Sequence, residues 1–143
     1  MQTFLPLESF TESAKCLDYR RLGKQRVEVL QILNAITGVS SAWTNHPATI
    51  MWKNNVYQLK MYGVAICEEW ISRGYKDSCK EKILSIISND ENKEMPIWIG
   101  NELLHRSHRS QLLRKDQNFY SQFNWKELPD EFPYWWPSKE LDL

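Results

Sequence analysis

Apolar residues recur at helical spacing through most of this chain, and no stretch alternates apolar with polar residues over a strand's length. In "SFTESAKCLDYRRL" Ser9 stands three residues before Glu12, a capping-box spacing that predicts a helix starting near residue 10. Gly23 is placed to bend or divide that helix. Leu22, Arg26, Val29, Leu33 and Ile36 share one helical face, the expected core side, and Gly38 is placed to end the segment. A second helix is predicted from Pro47 to about Ser72, with Met51, Val56, Leu59, Tyr62, Ile66 and Trp70 facing inward and Gly74 as its stop. A third segment, "DSCKEKILSIISN", offers Asp77 or Ser78 as a cap and a stripe of Ile83, Ile86 and Ile87. A fourth helix runs from Asn101 to about Lys115. The proline-containing "FPYWWP" that follows cannot be regular helix throughout. The expected fold is all-α: one compact helical domain over residues 1–143, closed by an irregular aromatic C-terminal tail.

Composition narrows the partner only through its distribution. Lysine plus arginine equals aspartate plus glutamate at 18 each, so net charge says nothing, but the cations gather in residues 15–31 and 105–115 and the acids at 90–94 and after 126. Two basic segments on a neutral chain point to a basic face for a phosphate-rich partner, with scattered solvated helix faces as the plain alternative. The three cysteines, Cys16, Cys67 and Cys79, include no close pair, which fits a reducing, cytoplasmic compartment. No run approaches the ~18 apolar residues of a membrane span, so no membrane partner is expected. Of the 7 tryptophans, Trp52 and Trp70 are expected in the core. Trp135 and Trp136 are expected to seal its edge or to offer flat faces to unstacked bases.

The candidate chemistry lies in "RRLGKQRVEVLQIL". Arg21, Lys24, Gln25 and Glu28 fall at i, i+3, i+4 and i+7, so four polar side chains converge on one side of a helix and a single carboxylate sits among cations. Arg20 and Arg26 add to the same basic segment. In "HRSHR", His105, Arg106, His108 and Arg109 bring imidazoles and guanidiniums onto one helix, a grouping able to clamp phosphate. A metal reading would need His46 or a cysteine as a third ligand. No cysteine pair has zinc spacing and His-x-x-His alone is weak, so neither metal nor cofactor is expected.

The segment "RLGKQRVEVLQIL", then "NHPATIMW" leading into a helix that ends "CEEWISRGY", resembles the pyrimidine-dimer DNA glycosylases of the bacteriophage endonuclease V family. The likeness covers roughly the first half of the chain, and "HRSHRSQLLRKD" with "YWWP" resembles a bacterial and phage branch grouped with that family. The resemblance implies an all-helical monomer that binds double-stranded DNA through its phosphates and a flipped nucleotide, excises one base of an ultraviolet dimer and cuts the strand at the abasic site. It places the catalytic carboxylate at Glu28. Arg20, Arg21, Gln25, Arg26, His46, His105, Arg106, His108 and Arg109 are the expected nucleic-acid contacts.

The family's nucleophile is the α-amino group of the mature N-terminus. With a reference pKa of about 7.7–8.0 such a group is partly unprotonated at neutral pH, whereas an ordinary lysine, near 10.4, is not. Here the chain departs from the family, where a small second residue is exposed by removal of the methionine. Gln2 is large, which keeps Met1 in place and would make its amine the nucleophile. Lys24, one turn before Glu28, is a second candidate amine if it is buried among its cationic neighbours, and a simple i,i+4 ion pair with Glu28 if it is not. Two other readings stay open from sequence: a nucleic-acid-binding protein without chemistry, and an enzyme on a free nucleotide or related small ligand.

Overall fold

The computed structural model describes residues 1–137; the acidic end of the tail lies outside them. The chain begins on a non-helical segment, residues 2–6, that is buried along its length. It leads into α1 (Phe10–Cys16), capped as its spacing predicts: the Ser9 hydroxyl accepts from the Glu12 N–H at 3.1 Å. The backbone turns extended at Leu17 and helix resumes as α2 (Tyr19–Thr37) behind Asp18. The break therefore falls at Leu17–Asp18 and Gly23 lies inside α2. A Cβ at Gly23 would meet the Trp70 ring at 2.9 Å. Gly23 is thus read by its tertiary neighbour, as a point where α2 makes room for the Trp70 ring of α4, and does not divide the helix. Gly38, at φ 83°, ends α2 in the left-handed conformation.

The apolar run from Pro47 forms two helices where one was expected, α3 (Pro47–Trp52) and α4 (Val56–Ser72). Asn55 interrupts it. Its backbone leaves the helical region, and its side-chain amide reaches outward to the Glu94 carbonyl at 3.2 Å, a competing bond of the kind that disfavours asparagine inside helices. After α4, Gly74 at φ 96° lets the Tyr75 N–H return to the Trp70 carbonyl at 3.4 Å. In α5 (Cys79–Ser85) the capping bonds come from Asp77, whose carboxylate accepts from the N–H groups of Cys79 and Lys80. Ile83 is in the core and Ile86 packs at its edge, but Ile87 is 87% exposed, because the helix ends at Ser85 and its period no longer applies.

α6 (Glu102–Lys115) starts at an Asn101 cap and is followed by α7 (Gln117–Tyr120), a 3₁₀ turn (Ser121–Phe123) and the irregular aromatic strap. Among the described residues all regular structure is helical, and no helix is long and apolar enough to cross a membrane. The core gathers Leu22, Val29 and Leu33 of α2 with Leu59, Ile66 and Trp70 of α4, and Trp52 meets Trp98 edge-on at 4.8 Å. Trp135 and Trp136 pack against its rim.

Arg26, expected both on the core face and on nucleic acid, joins α2 to the start of α5. Its guanidinium lies 4.4 Å over the Trp70 ring, and Nη1 is 2.6 Å from Asp77 Oδ1, with side chains 15% and 1% exposed. Removing one member of such a pair strands the other charge. Asp77→Ala is expected to lower the free energy of unfolding by about 3–5 kcal/mol in urea titrations; a loss under about 1 kcal/mol would show that the pair is not a structural tie.

Candidate active site

Residues 2–7 have no neighbouring strand, yet their buried N–H and C=O groups need partners. Side chains supply them. The Gln25 amide of α2 donates to the Gln2 carbonyl at 2.6 Å and accepts from the Phe4 N–H at 2.9 Å. The Tyr62 hydroxyl donates to the Phe4 carbonyl at 2.6 Å, and the Trp52 indole donates to the Thr3 hydroxyl at 2.9 Å. From α6, His108 Nδ1 accepts from the Leu5 N–H at 2.9 Å and His105 Nδ1 meets the Leu5 carbonyl at 2.8 Å. His105 Nε2 accepts from the Gly100 N–H, so Nδ1 carries its proton. Arg109 donates to the Pro6 carbonyl at 2.8 Å, and the Ser13 hydroxyl bonds both the N–H and the carbonyl of Leu7.

This lacing delivers the head of the chain to Glu28. The Gln2 N–H donates to Glu28 Oε2 at 3.2 Å, the Gln25 amide approaches the same oxygen at 3.5 Å, and Lys24 Nζ lies 3.7 Å from Oε1. The Glu28 side chain is 12% exposed and opens onto a cavity of about 300 Å³. Met1, Gln2 and Phe4 form one side of it, and Arg20, Arg21, Lys24 and Gln25 of α2 another. Lys115 and Tyr134 close the third. Glu28 is the one carboxylate in a lining that is otherwise cationic, amide or aromatic apart from Met1. Arg21 is oriented by Asp18 at 3.1 Å, and Asp18 in turn accepts from the buried Tyr120 hydroxyl.

The expected site residues divide cleanly. Met1, Arg20, Arg21, Lys24, Gln25 and Glu28 meet at the cavity. The Lys24 side chain is 76% exposed, so the burial that would favour it as a nucleophile is absent and it makes the i,i+4 pair with Glu28. His46 caps α3, its Nδ1 accepting from the Ala48 N–H at 3.0 Å. Burial and the nearby N-terminal ammonium lower its pKa, while Glu28 opposes them. Arg26, His105, Arg106, His108 and Arg109 lie outside the cavity lining. His105 and His108 are buried on Leu5, and Arg109 grips Glu127 through Nε at 2.7 Å and Nη2 at 3.2 Å, with Arg106 Nε on the same carboxylate at 3.3 Å.

Four lining residues were absent from the expected set: Gln2 and Phe4 of the N-terminal segment, Lys115 and Tyr134. Lys115 belongs to the basic 105–115 segment, and its pKa is lowered by partial burial and by Arg114, Arg21 and Lys24. Tyr134 belongs to the aromatic strap, and burial pushes its hydroxyl up to about 12. Among the described residues no three His, Cys, Asp or Glu side chains gather to hold a metal ion. A neutral ring-faced wall, a row of cations and one carboxylate suit a bound phosphate ester with a developing positive charge beside Glu28.

Residues 1–83, more than half of the chain, match the model of a protein family described as pyrimidine dimer DNA glycosylase. No curated protein and no solved structure matches the chain. The matched span holds Met1, the α2 row and Glu28, while Lys115 and Tyr134 come from outside it.

Two measurements check the lacing. Gln25→Ala orphans the Gln2 carbonyl and the Phe4 N–H, and thermal unfolding is expected to show a loss of about 2–5 kcal/mol against under 0.5 kcal/mol for Lys24→Ala. Burial, with His105 adding to it, lowers the His108 pKa to about 3. The unfolded chain, with an ordinary value of about 6.5, binds this proton first. The contribution to stability is therefore complete above about pH 6.5 and is lost as pH falls toward the folded value, by up to about 1.4 kcal/mol per pH unit. Urea unfolding between about pH 7 and pH 5 is expected to show this slope reduced by one proton in His108→Asn; an unchanged slope would place the proton elsewhere.

Proposed function

The chain belongs to the pyrimidine dimer DNA glycosylase family, and from that premise we propose that it is a DNA-repair enzyme that removes one pyrimidine of an ultraviolet dimer and cuts the strand at the resulting abasic sugar. The observation that carries the reading is the convergence, in one open cavity, of the head of the chain, Glu28 and a cationic row from α2. In this reading Arg20, Arg21 and Lys115 receive the phosphates of a displaced nucleotide. The α-amino group at Met1, which lines the same cavity as Glu28, is the nucleophile. Gln25 acts as a positioning residue by holding Gln2.

The chemistry follows from those placements. The amine lone pair forms a bond to C1′ while the glycosidic bond breaks, and the departing pair goes to the pyrimidine nitrogen. The amine's proton passes to the ring oxygen O4′, which takes the C1′–O4′ pair as the sugar opens and leaves a cationic imine that the Glu28 carboxylate stabilises. Glu28 then takes a proton from C2′. The C2′–H pair becomes a double bond, and the C3′–O bond breaks with its electrons passing to the 3′ phosphate. Water hydrolyses the imine and restores the amine.

End-labelled duplexes holding a cyclobutane dimer or an abasic site test the proposal on a denaturing gel. Strand cutting is expected on both, slower by about 10²–10⁴ in Glu28→Gln and within a few-fold of wild type in Lys24→Ala. Wild-type protein that leaves both duplexes intact would contradict the proposal.

A further inference from the structure

Trp43 has a backbone that its side chain does not favour. The described non-glycine residues with positive φ are Asn124, Asp130 and Trp43, the last at 65°. Asparagine and aspartate tolerate this region because their short polar side chains bond locally. A bulky indole does not, and such strain gathers at functional sites.

The surroundings give that strain a direction. Residues 41–45 are all exposed, and Trp43 projects from among small polar neighbours, 48% exposed. Its root is fixed. The Trp43 carbonyl accepts from the His46 N–H at 3.1 Å, and the His46 ring meets the indole edge-on at 5.8 Å and the Trp136 ring at 5.9 Å. The indole forms one wall of a second cavity of about 270 Å³, whose other lining residues are Met1, Lys24, Val27, Glu28 and Gln31. Met1, Lys24 and Glu28 border both cavities. An exposed aromatic ring therefore stands beside Met1, Lys24 and Glu28, the residues that both cavities share.

We propose that Trp43 is a wedge that enters the base stack of duplex DNA beside the lesion and fills the space left when a nucleotide is displaced toward Glu28. This rests on the reading of the Glu28 cavity as a site for DNA. Displacing a nucleotide costs its stacking and pairing, and an aromatic face inserted into the gap replaces part of that loss without reading sequence. An already unpaired lesion has less need of it.

The test measures binding by fluorescence anisotropy in the Glu28→Gln background, so that the strand stays whole. One duplex carries a cyclobutane dimer opposite its pairing bases and the other the same dimer opposite mismatches. Adding Trp43→Ala is expected to weaken binding to the paired duplex roughly tenfold, and to the mismatched one less than about twofold, while Trp43→Phe keeps most of the affinity. Equal weakening on both duplexes, or none on the paired one, would overturn the wedge. Trp43→Gly, which relieves the backbone, is expected to melt no lower than its parent; a clear drop would show that the indole serves stability and overturn the proposal too. A parent that binds neither duplex contradicts both the wedge and the DNA reading. The predicted binding pattern, with wild type leaving both duplexes uncut, would retain the wedge and reject strand cutting.

Discussion

The structure depends on burying a non-helical N-terminal segment that has no neighbouring strand to pair with. Residues 2–6 run through the interior, where an unsatisfied backbone group costs about 1–3 kcal/mol. Side chains from several helices meet that cost: Gln25 from α2, Tyr62 from α4, and His105, His108 and Arg109 from α6. These polar residues sit where a helical bundle would ordinarily place apolar ones, and α6 is accordingly rich in buried polar groups. The same bonds fix the position of the chain's first residues to within a hydrogen bond of Glu28.

Site and fold are therefore one arrangement. The Gln25 that satisfies that segment is one helical turn from the Glu28 carboxylate and shares its Oε2. Arg21 and Lys24 reach the cavity from the same face, and Lys115 and Tyr134 come to it from the end of α6 and the aromatic strap. A single carboxylate stands among cations able to hold phosphate and the amides of Gln2 and Gln25, which is the division of labour the proposed reaction requires.

What could be read from sequence was what is decided within a turn or two. The Ser9–Glu12 cap, the Gly38 stop and the convergence of Arg21, Lys24, Gln25 and Glu28 are local, and each appears as spaced. Gly23 was ambiguous because glycine permits a bend and also permits close approach, and only Trp70, far along the chain, distinguishes them. The run from Pro47 kept its apolar period across Asn55, so the period concealed the break. In "HRSHR" spacing showed that the side chains share a helix but not that its polar face turns inward onto Leu5. The N-terminal segment was illegible for a deeper reason: its long-range partners are side chains 21 to 103 residues away, and no periodicity marks a buried segment outside helix and sheet.

We propose that the lacing presents the head of the chain as an amine in the cavity that Glu28 lines. Peptide mapping by mass spectrometry of the adduct reduced with borohydride on an abasic duplex tests it most directly. The account predicts that the reduced deoxyribose fragment is carried by the α-amino group of the first residue. A fragment found on the side chain of Lys24 or Lys115 would contradict it.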